Sequence, residues 1–235
     1  MHPSLTVIAA SLALAAPALA EAPLARSAAT GAVISTQAAP EPGFVVTAGV
    51  TLEFTDDEYG RGTGTSLSAE AYLEAEINGF YLGIYGMVTD EETDNEVDVY
   101  LGYRNELASG LSYDIGYTRY RYPRDGGDCC GEVTFGLFMP VADKLGLGLD
   151  LAYDPDARLG NAYVYGEYQV SDKWTLSANY GVLEVAEAPS EGEWDFGAGY
   201  AITDGTALDL RYYEGSAYDG YLALAVSFDT TLFGH

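Results

Sequence analysis

Hydrophobic and polar residues alternate along most of the chain. The run from Glu74 to Gly86 shows this best, because Asn78-Gly79 is a favoured hairpin turn between two alternating stretches. One face of each stretch is apolar, and the other carries acids, Tyr or Gly. A period of two residues predicts β-strands. In a soluble sandwich the acidic face would meet solvent, whereas in a membrane barrel it would face the interior.

The same alternation divides Phe44 to Phe228 into about twelve segments of about ten residues, the length of a tilted strand crossing a bilayer. The connections alternate between long acidic ones, such as 90–95, and short ones, such as Ser171-Asp172. Outer-membrane barrels have long external loops and short periplasmic turns. We therefore predict an all-β fold, an antiparallel up-and-down transmembrane β-barrel of about twelve strands.

Aromatic residues stand near the ends of the predicted apolar stripes, among them Phe44, Tyr103, Trp174, Trp194 and Phe228. Aromatic rings collect at the two interfaces of membrane barrels, where an amphipathic ring meets both lipid and water. This pattern predicts that outer-membrane lipid is a partner of the barrel.

The N-terminal region is typical of an exported protein. Residues 1–20 are predicted to be a cleavable signal peptide, with an apolar run followed by the small-x-small site Ala18-Leu19-Ala20. A membrane anchor is the alternative, but the run is too short to span a bilayer. We expect a flexible periplasmic leader at 21–43, the barrel at 44–228, a C-terminal tail at 229–235, and a location in the outer membrane of a Gram-negative bacterium.

The formal net charge of −26, from 36 acids and 10 bases, argues against nucleic acid as a partner, because phosphate binding needs a basic surface. The chain is nevertheless 48% hydrophobic, with 20 Tyr and 28 Gly, which indicates strands and tight turns rather than an acidic disordered chain.

The polar face of the predicted strands is mostly acidic. Its candidate pore-lining residues are Glu53, Glu70, Glu74, Glu76, Glu96, Asp98, Asp114, Glu132, Asp150, Glu167, Asp195, Asp209 and Arg211. Glycines such as Gly83, Gly102 and Gly148 on the same face are expected to leave room. Unpaired carboxylates are too costly to bury dry, so either water fills this interior or many of its acids are protonated or bind cations. A water-filled pore lined by carboxylates would favour cations.

Other candidate chemistry is sparse. Cys129 and Cys130 are adjacent in a predicted long loop, where a vicinal disulfide, an intermolecular bridge or a soft-metal site with Asp128 are the options, and a disulfide is favoured. The predicted mature chain has one histidine, His235, outside any strand, so no general base is available for a hydrolase. We expect no enzymatic activity, no cofactor and no metal.

Four stretches carry a family resemblance: Gly79–Gly83, Glu96–Tyr103, Gly110–Tyr117 and Tyr120–Pro123. In order and spacing they resemble the TorF family of outer-membrane porins, also called the Gcw family. The resemblance covers roughly residues 44 to 230 and implies a Gram-negative outer-membrane barrel.

These observations favour a passive outer-membrane channel for small solutes, with a preference for cations. One alternative is a closed structural barrel, filled by Tyr81, Tyr85, Tyr163, Tyr165 and the leader. Another is a soluble periplasmic β-protein. The three differ in membrane integration and in solute flux.

Overall fold

The computed structural model describes residues 43–56, 64–90, 95–123, 127–186 and 188–234, with the backbone but not the side chains at 127–129. The predicted signal peptide and residues 21–42 of the leader lie outside the described residues. Within the described part of the chain, no helix is long and apolar enough to cross a membrane.

Twelve antiparallel strands close into an up-and-down barrel, in which each strand pairs with its sequence neighbours and the first pairs with the last. The predicted fold class and strand number are confirmed. The strands are β1 (Phe44–Thr55), β2 (Ser66–Ile77), β3 (Phe80–Val88), β4 (Glu96–Glu106), β5 (Ser112–Tyr122), β6 (Gly127–Ala142), β7 (Leu145–Asp154), β8 (Leu159–Gln169), β9 (Trp174–Leu183), β10 (Glu191–Thr203), β11 (Thr206–Gly215) and β12 (Tyr221–Phe233).

The β2–β3 hairpin turns at Asn78-Gly79, as the sequence predicts, and Ile77 pairs with Phe80 across it. Both turn residues have positive φ, 51° and 86°, the combination that a type I′ turn requires. A side chain at Gly79 would also place its Cβ 2.3 Å from the carbonyl oxygen of Arg104. This turn therefore needs glycine for its backbone conformation and for its close contact with β4.

The two ends of the barrel differ. At the short-turn end, the connections β2–β3, β4–β5, β6–β7, β8–β9 and β10–β11 have two to five residues, whereas those at the long-loop end have four to ten. The difference is smaller than the sequence predicts, because β6 begins at Gly127 and β8 at Leu159. Cys129 and Cys130 therefore lie in β6 and not in a long loop, which corrects the prediction. The ladder pairs Tyr120 with Cys130 and Arg121 with Asp128, so Cys129 forms a β-bulge.

The outer surface of the barrel is an apolar belt. Large apolar side chains that point outward stay about half exposed, such as Leu52 at 55% and Leu82 at 56%. Aromatic pairs border the belt near both ends. They are Phe44–Phe233, Phe80–Tyr103 and Trp174–Tyr200 at the short-turn end, and Trp194–Tyr212 at the long-loop end, with ring centroids 4.7–5.8 Å apart.

The last strand continues beyond the predicted boundary at Phe228 and ends at Phe233. The predicted start of the C-terminal tail at residue 229 is therefore wrong. The reason is pairing with β1: Asp229 pairs with Gly49, and Phe233 with Val46. Asp229 also accepts a 2.8 Å hydrogen bond from the Tyr72 hydroxyl, which crosses over Gly49 because that residue has no side chain.

Candidate functional site

The strand alternation and the closure of the barrel place all thirteen candidate pore-lining residues on the inward face. Eight are buried, and they are Glu74, Glu96, Asp98, Asp114, Glu132, Glu167, Asp209 and Arg211. The other five, Glu53, Glu70, Glu76, Asp150 and Asp195, are half-buried. The barrel interior thus brings together twelve carboxyl groups from nine strands.

Arg211 lies at the centre of the first interior cluster. Its guanidinium is 1% exposed, donates to Asp209 at 3.1 Å and to the Ser177 hydroxyl at 2.7 Å, and contacts the carboxylate of Asp195. Asn179 donates two further hydrogen bonds to Asp195. The cluster ties the interior faces of β9, β10 and β11 together, and its arginine is neutralised by two acids.

Backbone register explains how Arg211 reaches so far. Arg211 pairs with Gly197, Gly197 with Ser177, and Ser177 with Glu167, so one row of residues crosses four strands. Gly197 has no side chain, and the guanidinium passes over it to reach Ser177. Glu167 lies one strand beyond and has one carboxylate oxygen without a hydrogen-bond partner among the described residues.

A second cluster surrounds Arg104 near the short-turn end. Its guanidinium contacts Glu74, lies 3.3 Å from a carboxylate oxygen of Glu76, and sits 4.1 Å from the centre of the Tyr81 ring. The Tyr81 hydroxyl donates a 2.6 Å hydrogen bond to Asp114. These contacts connect β2, β3, β4 and β5, so the second interior arginine is also paired with two acids.

Asp150 lies on β7, two strands from Asp114 on β5, and the register places the two acids in one row across the sheet. Asp114 pairs with Gly136 on β6, and Gly136 pairs with Asp150 on β7. One carboxylate oxygen of Asp150 and one of Asp114 have no hydrogen-bond partner in the described part of the chain. Asp114, Asp150 and Glu167 therefore each have a buried carboxylate oxygen that the described residues do not use.

Tyrosines line the interior toward the long-loop end. The Tyr120 hydroxyl donates to Glu132 at 2.9 Å, and the Tyr163 hydroxyl donates to Glu193. Tyr218, from the β11–β12 connection, also donates to Glu193, at 3.3 Å. Burial, and secondarily the charge of Glu193, raises the pKa of Tyr218, so its hydroxyl remains a donor. A loop residue thus reaches into the mouth of the barrel.

The inward glycines do not leave open space, which corrects that expectation. Aromatic rings from neighbouring strands lie over them: Tyr100 over Gly83, Tyr81 over Gly102 and Tyr165 over Gly148. Tyr81, Tyr85 and Tyr165 are buried and Tyr163 is partly buried. The short-turn end of the barrel contains a cavity of about 320 Å³, lined by residues that include Phe138, Lys144 and Glu167.

Cys130 is disulfide-bonded, and the side chain of Cys129 lies outside the described residues. Among the described His, Cys, Asp and Glu residues, no group of three is arranged to hold a metal ion.

Several interior residues are not among the predicted ones, chiefly Ser177, Asn179 and Glu193. The strand β10 begins at Glu191, ahead of the candidate residue Asp195. Extending its alternation by two residues from Asp195 would have placed Glu193 on the inward face. Ser177 and Asn179 share the inward face of β9, but an uncharged side chain gives no signal of the acid or arginine that it will meet.

Comparison with known proteins decides the family. The family model described as "Bacterial protein of unknown function (Gcw_chp)" matches residues 37–231, most of the chain. The chain belongs to the Gcw family. The family membership inferred from the sequence is thereby confirmed, although the description assigns no function. No curated protein matches this chain.

Solved structures similar to this Gcw protein are porins. The KdgM porin has a TM-score of 0.60 at 11% identity, over 77% of this chain and 98% of that one. A structure titled "KdgM porin in complex with disordered oligogalacturonate" has a TM-score of 0.57 at 11% identity, again over 77% of this chain and 98% of that one. The NanC porin has a TM-score of 0.57 at 11% identity, over 79% of this chain and all of that one. At this identity the likeness establishes a shared barrel fold.

Proposed function

We propose that this Gcw protein is a narrow outer-membrane channel through which small solutes diffuse passively, with a preference for cations. The observation that carries the proposal is the charge of the inward face. The twelve candidate acids and Glu193 stand there against Arg104 and Arg211, and each of these arginines is already paired with two of the acids. A water-filled path along such a face attracts cations and repels anions.

The outer surface supports placement in a membrane. A belt of half-exposed apolar side chains surrounds the barrel, and aromatic pairs border it at both ends. Exposed apolar surface of this extent is unfavourable in water but suits lipid. This observation argues against the soluble periplasmic alternative. Extraction of the membranes with carbonate should leave the protein in the membrane pellet, and release into the supernatant would contradict the proposal.

The porin neighbours support a channel, but they do not indicate the solute. The oligogalacturonate named in one of their titles is a polyanion. An interior with these inward acids would repel such a molecule rather than guide it. We therefore propose inorganic cations and small cationic or neutral molecules as the solutes, and we expect acidic oligosaccharides to be excluded.

A closed structural barrel is the second candidate, favoured by the packing of the interior. Arg211 is 1% exposed and Tyr85 2%, values typical of a filled interior. Liposomes that contain the purified protein separate the two candidates. A channel releases entrapped potassium, and Asp114→Asn/Asp150→Asn slows the release, whereas the exposed loop variant Asp219→Asn does not. A closed barrel integrates into the liposomes and releases nothing.

A further inference from the structure

The basic residues of this acidic protein are unevenly placed. The structure describes seven of them. Arg104 and Arg211 are inside the barrel, and Lys144 and Lys173 are at the short-turn end. The remaining three are arginines near the long-loop end, on β5 and in the β7–β8 turn: Arg119, Arg121 and Arg158.

The strand geometry directs two of these arginines outward. In β5 the inward residues are buried, so Arg119 and Arg121 alternate onto the outer face together with Ile115 and Tyr117. Alternate residues of a strand are about 7 Å apart along its axis, so the two arginines follow one another on the same face. Their partners on β4 are the apolar Val99 and Val97. The arginines thus lie directly above the apolar belt, on the long-loop side.

Arg158 joins them through the β7–β8 turn. Arg119 lies 3.8 Å from a carboxylate oxygen of Asp156, which is in the same turn as Arg158. This separation exceeds a normal hydrogen bond, and the Asp156 side chain is 79% exposed, so the contact is a weak surface ion pair. It nevertheless places the turn that contains Arg158 close to Arg119.

The rest of the long-loop end has the opposite charge. The described connections there that lie outside the β5–β8 region contain Asp56, Asp90, Glu184 and Asp219 and no Lys or Arg. Arg119, Arg121 and Arg158 are not in these connections. Their place is instead at the upper edge of the belt, where lipid headgroups meet a membrane barrel.

We infer that Arg119, Arg121 and Arg158 form a binding site for the phosphorylated headgroup of a lipid in the outer leaflet, whose acyl chains lie along the apolar face of β4 to β7. The guanidinium fork matches phosphate oxygens in pairs, which makes arginine the preferred side chain for such a contact. The inference rests on the proposed placement of the barrel in the outer membrane, with its long loops outside.

The test uses the purified full chain in detergent micelles and lipid A as the probe, with bound lipid counted by native mass spectrometry. Wild type is expected to retain lipid A. The variant Arg119→Gln/Arg121→Gln/Arg158→Gln should bind it at least about tenfold more weakly, because it loses several charge-assisted hydrogen bonds. The control Lys144→Gln/Lys173→Gln removes two charges at the opposite end and should bind like wild type.

Equal lipid binding by the triple variant and wild type would overturn the inference, and so would an equal loss in the lysine control. Displacement of the lipid by excess inorganic phosphate would show a site for the free anion instead. Folding of each variant is checked by the difference in gel mobility between the unheated and the heated protein. If the triple variant does not fold, the single variant Arg121→Gln, at an exposed position, replaces it. Liposome flux recorded on the same variants should be unchanged, so loss of lipid binding is distinguishable from loss of the channel.

Discussion

The guanidinium of Arg211 crosses directly over Gly197, its paired residue on the neighbouring strand. A Cβ at Gly197 would lie 2.7 Å from the central carbon of the guanidinium, closer than real side-chain contacts allow. Arg211 needs this gap to reach Ser177 one strand further on. One glycine therefore permits the interior cluster that links β9, β10 and β11.

Substitution of this glycine should disturb the cluster. We expect Gly197→Ala to destabilise the folded barrel by about 1–3 kcal/mol, the usual cost of overpacking a filled site. The measurement is the free energy of unfolding in urea, with the protein in lipid vesicles. Gly86→Ala is the matched control, because the nearest atom to its added Cβ is 3.7 Å away. Equal effects of the two substitutions would contradict the role assigned to Gly197.

Removal of Arg211 should leave the buried Asp209 and the half-buried Asp195 without their counter-charge. We expect Arg211→Met to cost about 3 kcal/mol of folding free energy, as measured for other broken buried ion pairs. In a channel it should also raise the single-channel conductance, because a large side chain leaves the interior. Adding Asp195→Asn and Asp209→Asn should restore much of the stability. A triple variant no more stable than Arg211→Met would show that the ion pairs contribute little.

Much of the architecture was predictable because a strand alternates with a fixed period. The turn at Asn78-Gly79 follows from its residue types, and the alternation puts Glu74, Asp98 and Asp209 on the face opposite the apolar side chains. The partners of these residues do not, because they depend on register between strands. Only the ladder shows that Arg211, Gly197 and Ser177 share one row. Strand ends were also misjudged at Gly127 and Phe233, where pairing with a neighbouring strand extends the ladder past the apolar pattern.

The extended end of β12 provides a third prediction. Deletion of residues 229–235 would remove the Tyr72–Asp229 hydrogen bond, the Phe44–Phe233 contact and the final pairs that close the barrel onto β1. We expect this truncation to reduce the yield of folded barrel in the membrane severalfold, as read from the gel shift on heating. Deletion of Gly234 and His235 alone should have little effect. Equal yields from both truncations would mean that residues 229–233 are dispensable for closure.

Acidification should weaken the proposed preference for cations. Lowering the pH protonates the inward carboxylates, while Arg104 and Arg211 stay charged. The ratio of cation to anion permeability is therefore expected to fall as the pH decreases from 7 to about 3. Recording at a series of pH values on both sides of the bilayer tests this. A ratio that rises on acidification would exclude carboxylates as its source.

The most direct test of the central claim is the reversal potential of the wild-type protein in a planar bilayer between unequal concentrations of potassium chloride. An acidic interior that conducts predicts discrete channel openings and a reversal potential with the sign of potassium selectivity. A potential with the sign of chloride selectivity, or an integrated barrel without conductance, would contradict it.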